Sequence, residues 1–110
     1  MSTNNEGIEE LTGDKFDEYL KANRVTVVDF WAPWCMPCRM QGRFLEKTLK
    51  KLPAGGKLAK INVDIYPDIA NRYRITGIPQ LYLFVDGKIT EGWTGLTRPE
   101  VIYREMEKHI

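Results

Sequence analysis

Residues 25–31, from Val25 to Trp31, form a nearly unbroken apolar, β-branched run. A strand with one face in water alternates apolar and polar residues, so a run without alternation reads as a strand covered on both faces. Covering both faces takes helices on either side of a sheet, and that makes the chain α/β. Directly after the run come Ala32, Pro33, Trp34, Cys35, Met36, Pro37 and Cys38. Beyond them Met40, Phe44, Leu45, Leu49 and Leu52 recur at three- and four-residue spacing. A buried strand therefore passes through a short turn into an amphipathic helix, and both cysteines of the chain lie at that junction.

The rest of the chain fits the same class. Ile8 to Leu11 predicts a short edge strand, and Asp14 an N-cap for a helix carrying Phe16, Tyr19 and Leu20 to about Ala22. The helix after the cysteines should end at Pro53, Ala54, Gly55 and Gly56. A strand is predicted over Leu58 to Asp64, a short helix over Pro67 to Tyr73, and a turn at Gly77, Ile78 and Pro79. Strands Gln80 to Val85 and Lys88 to Thr94 flank Asp86-Gly87, a two-residue hairpin signal. Thr97 and Glu100 have capping-box spacing for a last helix to about His109. The expected order is β-α-β-α-β-α-β-β-α, a mixed sheet of about five strands with about four helices on both faces. Residues 1–7 read as a disordered segment and 8–110 as a single domain, with no repeat or linker.

At 110 residues and net charge +1 the chain has no basic stripe to drive nucleic-acid binding. Lys47, Lys50, Lys51 and Lys57 read as a solvated face. No apolar stretch reaches membrane-span length. Residues 1–7 lack the basic and apolar regions of a secretory signal, and two cysteines are too few for a secreted disulfide scaffold. The expectation is a cytoplasmic protein. Zinc wants about four ligands, and the lone histidine, His109, stands far from the cysteines. No metal or bound cofactor is expected.

What remains for the pair is sulfur chemistry. Residues i and i+3 of a helix are neighbours, so Cys35 and Cys38 can join without unfolding anything. Cys35 would also sit where unpaired N–H groups and the helix dipole favour an anion, and the attacking species in disulfide exchange is a thiolate. Asp29 is a second anomaly, a carboxylate inside an apolar strand, costly there unless paired or protonated.

Four separated signals carry a resemblance. They are Val28 to Cys38, Lys60 to Asp64, the Gly77-Ile78-Pro79 turn, and Asp86-Gly87 followed by Gly95. In this order, and over nearly the whole chain from Ile8, they resemble the thioredoxin family. The resemblance implies the thioredoxin fold and a protein-disulfide reductase whose redox centre is a Cys35–Cys38 disulfide. It implies Cys35 as the more exposed nucleophile, Cys38 as the resolving thiol, Asp29 as the proton acceptor behind them, and Lys60 as partner of Asp29. Pro79 would be the cis-proline. Trp34, Met36, Pro37, Ile78 and Gly95 would form the substrate-docking patch around the cysteines. Trp31 is expected in the core; Trp93 is left between patch and sheet face. Partners would be disulfide-containing proteins and a thioredoxin reductase, NADPH- or ferredoxin-linked, acting on a monomer.

Three positions depart from the family pattern. Met36 replaces the usual glycine between the cysteines and would enlarge the docking patch. Gly42-Arg43 replaces an Ala-Pro that kinks the helix, so the kink is open. Gln80 replaces a threonine after the cis-proline, with altered target choice as the expectation. The competing readings are an oxidase or isomerase of the same fold, whose members usually carry histidine between the cysteines, and a thioredoxin-fold binding module with incidental cysteines.

Overall fold

In the computed structural model, which describes residues 7–110, the run Val25–Trp31 is a strand buried at every residue. In chain order the elements are β1 (Glu9–Glu10), a 3-10 turn (Gly13–Lys15), α1 (Phe16–Ala22), β2 (Val25–Trp31), α2 (Met36–Lys50) and β3 (Gly56–Asn62). After them come α3 (Pro67–Arg72), β4 (Gln80–Val85), β5 (Lys88–Thr94) and α4 (Pro99–Glu107). The sheet has five strands in the order β1-β3-β2-β4-β5. β3 is parallel to both β1 and β2, whereas β4 is antiparallel to β2 and to β5.

The lack of alternation in β2 is explained by two cores. Val25 and Val27 pack with Leu45 of α2, Leu58, Leu81, Leu83, and Ile102 and Met106 of α4. Val28 and Phe30 point the other way, into Phe16 and Leu20 of α1, Ile69 of α3, Ala59, Ile61 and Phe84. Successive residues of a strand face opposite sides, so each side of β2 must be apolar once helices cover both. Asp29 shares the side of Val25 and Val27, under α2 and α4.

Several boundaries move from their predicted places. β1 is only Glu9–Glu10, and Ile8 and Leu11 flank it, each buried in a different core. Asp14 is not an N-cap: it lies inside the 3-10 turn closed by Lys15 N–H donating to Thr12 O at 3.2 Å, and α1 begins only at Phe16. β3 starts two residues early, at Gly56, because Val25 at the start of β2 pairs with it. It stops at Asn62, whose side-chain oxygen takes the N–H groups of Asp64 and Ile65 at 2.8 and 3.2 Å and turns the chain. Met40 is exposed; the inward row of α2 is Cys38, Gln41, Gly42, Leu45 and Thr48. Without a proline at Arg43, α2 is one continuous helix.

No capping box forms at α4. Arg98 is the N-cap without a side-chain bond, and the Thr97 hydroxyl donates to Gly95 O at 3.1 Å. Thr97 is held elsewhere by Gln41, as described below. The Asp86-Gly87 turn has positive φ at both residues, 52° and 78°, as a tight hairpin of this type requires. The expected disordered stretch 1–7 lies outside the described residues except for Gly7, which is in a turn. Among the described residues no helix is long and apolar enough to cross a membrane.

Candidate active site

The end of β2 feeds the turn 32–35, closed by Cys35 N–H donating to Ala32 O at 3.2 Å. Cys35 is then the N-cap of α2, with extended backbone, and its Sγ accepts the N–H of Cys38 at 3.2 Å. The sulfur does what a serine or aspartate oxygen does at other helix starts. Pro37 stands in the first turn, where its missing N–H costs nothing. Cys35 and Cys38 are joined as a disulfide with Cα atoms 5.2 Å apart. Each residue is 4 % exposed, so the expected greater exposure of Cys35 is absent in this disulfide form. The two differ in their contacts instead: Cys35 holds the capping bond, and its Sγ lies 3.8 Å from Ile78 O.

The Ile78-Pro79 peptide is cis. Pro79 is buried, and its carbonyl accepts Gly95 N–H at 2.8 Å, which ties the two loops together. Gly95 has φ +86° and open space where a Cβ would stand, so the backbone angle rather than crowding selects glycine there. Ile78 and Gly95 are half-buried, whereas Trp34, Met36 and Pro37 are exposed, Trp34 at 67 % and Met36 at 71 %. The Trp34 indole is not loose: its Nε1 donates to Asp64 Oδ2 at 2.8 Å. Trp93 packs, half-buried, against the α2/α4 core.

Behind the disulfide lies a row of charges. In the sheet register Glu10 stands opposite Lys60, and Lys60 opposite Asp29, so three charged side chains cross β1, β3 and β2 in line. The Lys60 ammonium is 3.6 Å from Glu10 Oε1 and 4.7 Å from the centre of the Trp31 ring. Trp31 Nε1 donates to Glu10 Oε2 at 3.1 Å, and the same ring packs on Ala32, Cys35 and Cys38. Asp29 is 1 % exposed, and its Oδ1 has no hydrogen-bond partner among the described residues. Burial pushes its pKa from 3.8 up to about 8; Lys60 opposes the rise and Glu10 adds to it. Glu10 is also raised, by burial first, against the pull of Trp31 and Lys60.

Sequence reasoning missed two side chains here, Glu10 and Gln41. Glu10 in a short edge segment carried no signal until the register placed it beside Lys60. Gln41, fully buried, grips the Thr97 backbone at both ends: Nε2 donates to Thr97 O at 3.0 Å and Oε1 accepts Thr97 N–H at 2.7 Å. A polar residue on the inward row of α2 was the available clue. Gln80, for which altered target choice was the expectation, bonds within its own hairpin: Nε2 donates to Trp93 O at 3.1 Å and Oε1 accepts the Thr94 hydroxyl at 2.6 Å.

A sequence profile of the thioredoxin family matches residues 7–108. The chain belongs to the thioredoxin family. It is 34% identical over 102 residues to thioredoxin 2 of Chlorobaculum tepidum, covering 92% of this chain and 94% of that one. It is 37% identical to the chloroplastic thioredoxin M3 of Oryza sativa subsp. japonica, over 94% of this chain and 60% of the other. Among solved structures, a mutant thioredoxin from Halobacterium salinarum NRC-1 superposes with a TM-score of 0.86 at 28% identity, covering 99% of this chain and 96% of that one. As a thioredoxin-family member the chain is a thiol–disulfide oxidoreductase of the disulfide-reductase type, with Cys35–Cys38 as its redox centre and no bound cofactor. Its partners are disulfide-containing targets and a reductase that returns it to the dithiol. Among the described residues no group of three or more His, Cys, Asp or Glu side chains is placed to hold a metal ion.

Proposed function

We propose that the Cys35 thiolate attacks one sulfur of a target disulfide, forming a mixed disulfide and releasing the other target sulfur as a thiolate. Cys38, deprotonated, then attacks Cys35 Sγ. The Cys35–Cys38 bond forms, the second target thiolate leaves, and two electrons have passed to the target. The observation that carries this assignment is the capping bond from Cys38 N–H to Cys35 Sγ at 3.2 Å. In the dithiol a thiolate at that position receives the same N–H and the positive end of α2.

Asp29, when ionised, takes the Cys38 proton, and Lys60 favours that ionised form against the burial that opposes it. The cis Pro79, beneath the surface, keeps the backbone at Ile78 beside Cys35, and an extended target segment pairs along that loop. Trp34, Met36, Pro37, Ile78 and Gly95 form the docking face, three of them exposed and two half-buried. We read residues 8–110 as the single domain that does this, acting as a monomer in the cytoplasm and recharged by an NADPH- or ferredoxin-linked reductase.

Two measurements test the reading. Cys38→Ser should accumulate the Cys35 mixed disulfide with a target, and Cys35→Ser should accumulate none; the reverse pattern exchanges the two roles. Equilibration with glutathione should then give a potential near the value general to thioredoxins, about −270 mV. A potential near about −180 mV, that of protein disulfide isomerase, would make the protein an oxidant or isomerase instead.

A further inference from the structure

A base for Cys38 must be ionised to take a proton, and Asp29 mostly is not. With its carboxyl held at about 8, roughly one Asp29 in ten is ionised at pH 7. Whatever tilts that balance governs how often the resolving step has its base.

The groups able to do so can be read from the elements around Asp29. β3 contributes Lys60 directly opposite. β4 contributes Leu81 and, beyond it, β5 contributes Trp93, neither charged. On the covering helices, α2 turns Cys38 inward, and α4 turns Ile102 and Met106 inward. The remaining charge is Glu10, one strand beyond Lys60 in the same row. Its two oxygens are engaged on the inner side, one 3.6 Å from Lys60 Nζ and one accepting Trp31 Nε1 at 3.1 Å. Its side chain is nonetheless 40% exposed, whereas that of Lys60 is 4% exposed.

We propose that Glu10 is a positioning residue of the redox site: from the edge strand it shares the Lys60 ammonium with Asp29, and so sets the charge state in which Asp29 meets the resolving cysteine. One lysine serves two carboxylates. A charged Glu10 draws the ammonium toward the sheet edge and Trp31 and adds its own negative charge to the row; both effects leave Asp29 holding its proton more tightly. A neutral Glu10 releases the ammonium toward Asp29. Because Glu10 reaches solvent, its charge follows the medium directly, and the buried base follows Glu10. The proposal rests on the assignment of Asp29 as proton acceptor, but its first test does not.

The experiment is a titration of the Asp29 carboxyl carbon by NMR in the oxidised wild-type protein and in Glu10→Gln. Glutamine keeps an oxygen for Trp31 Nε1 and removes the charge. Asp29 should release its proton at lower pH in Glu10→Gln, with a proton affinity weaker by roughly threefold or more, as expected on losing a nearby like charge. Glu10→Asp, which keeps the charge, should stay close to wild type. An Asp29 midpoint unchanged in Glu10→Gln, or moved equally in Glu10→Asp, overturns the proposal, because a merely structural role predicts one of those results. The pH profile of mixed-disulfide resolution, followed in single turnover, should shift with the NMR midpoint. If the midpoint moves and the profile does not, Glu10 still controls Asp29, and it is the assignment of Asp29 as the base of Cys38 that fails.

Discussion

Asp29→Asn should make the protein more stable at neutral pH. Asp29 is fully enclosed, and its carboxyl is held at about 8 against 3.8 in an unfolded chain, chiefly by burial. Between those two values the folded state binds a proton that the unfolded state has lost, so stability falls as pH rises through the window. Below it both states are protonated and nothing is lost; above it the loss is complete. Each pKa unit corresponds to ~1.4 kcal/mol, so at pH 7, ~3 units into the window, Asp29 costs about 4 kcal/mol. That is a large share of the roughly 5–15 kcal/mol that holds a domain folded. Asparagine has nearly the same shape and no proton to lose.

The assay is urea unfolding of the oxidised wild type and of Asp29→Asn at pH 4, 5.5, 7 and 8.5. The disulfide keeps the thiols out of the titration. The stability difference should be small at pH 4, favour asparagine increasingly up to pH 8, and level off beyond. A difference independent of pH would mean that packing, not charge burial, distinguishes the two side chains. An Asp29→Asn protein less stable than wild type at pH 7 would refute the reasoning. The same variant should slow release of the mixed disulfide more than its formation, since only release uses the proton acceptor.

Two further outcomes follow from contacts near the disulfide. Gln41→Ala strands the buried N–H and C=O of Thr97, bonded now at 2.7 and 3.0 Å, and should cost ~2–4 kcal/mol in urea unfolding; a cost below about 1 kcal/mol would mean the loop before α4 finds other partners. Met36→Gly removes a side chain 71 % exposed, so it should raise KM for a protein disulfide severalfold while lowering stability by no more than about 1 kcal/mol, the helix-propensity cost of glycine; an unchanged KM would place Met36 outside the docking face.

The sequence by itself determined the class and the centre of the chemistry. An unalternating strand needs cover on both faces, and Cys35 and Cys38 three apart at a strand-to-helix turn are neighbours under any packing. Asp29 was legible for the same reason, as a charge where the pattern allows none. Element boundaries were less so. Gly56 joins β3 where Val25 stands beside it, and Thr97 is not the cap of α4: its backbone is held by Gln41, 56 residues earlier, and its hydroxyl by Gly95 O. The fine electrostatics of the site belonged wholly to the tertiary structure. Glu10, Asp29 and Lys60 are far apart in the chain, and only parallel pairing in one register sets them in a line across three strands. Local spacing controls what neighbours along a helix or strand can do, but the energy of a buried charge depends on which distant charges the fold brings beside it.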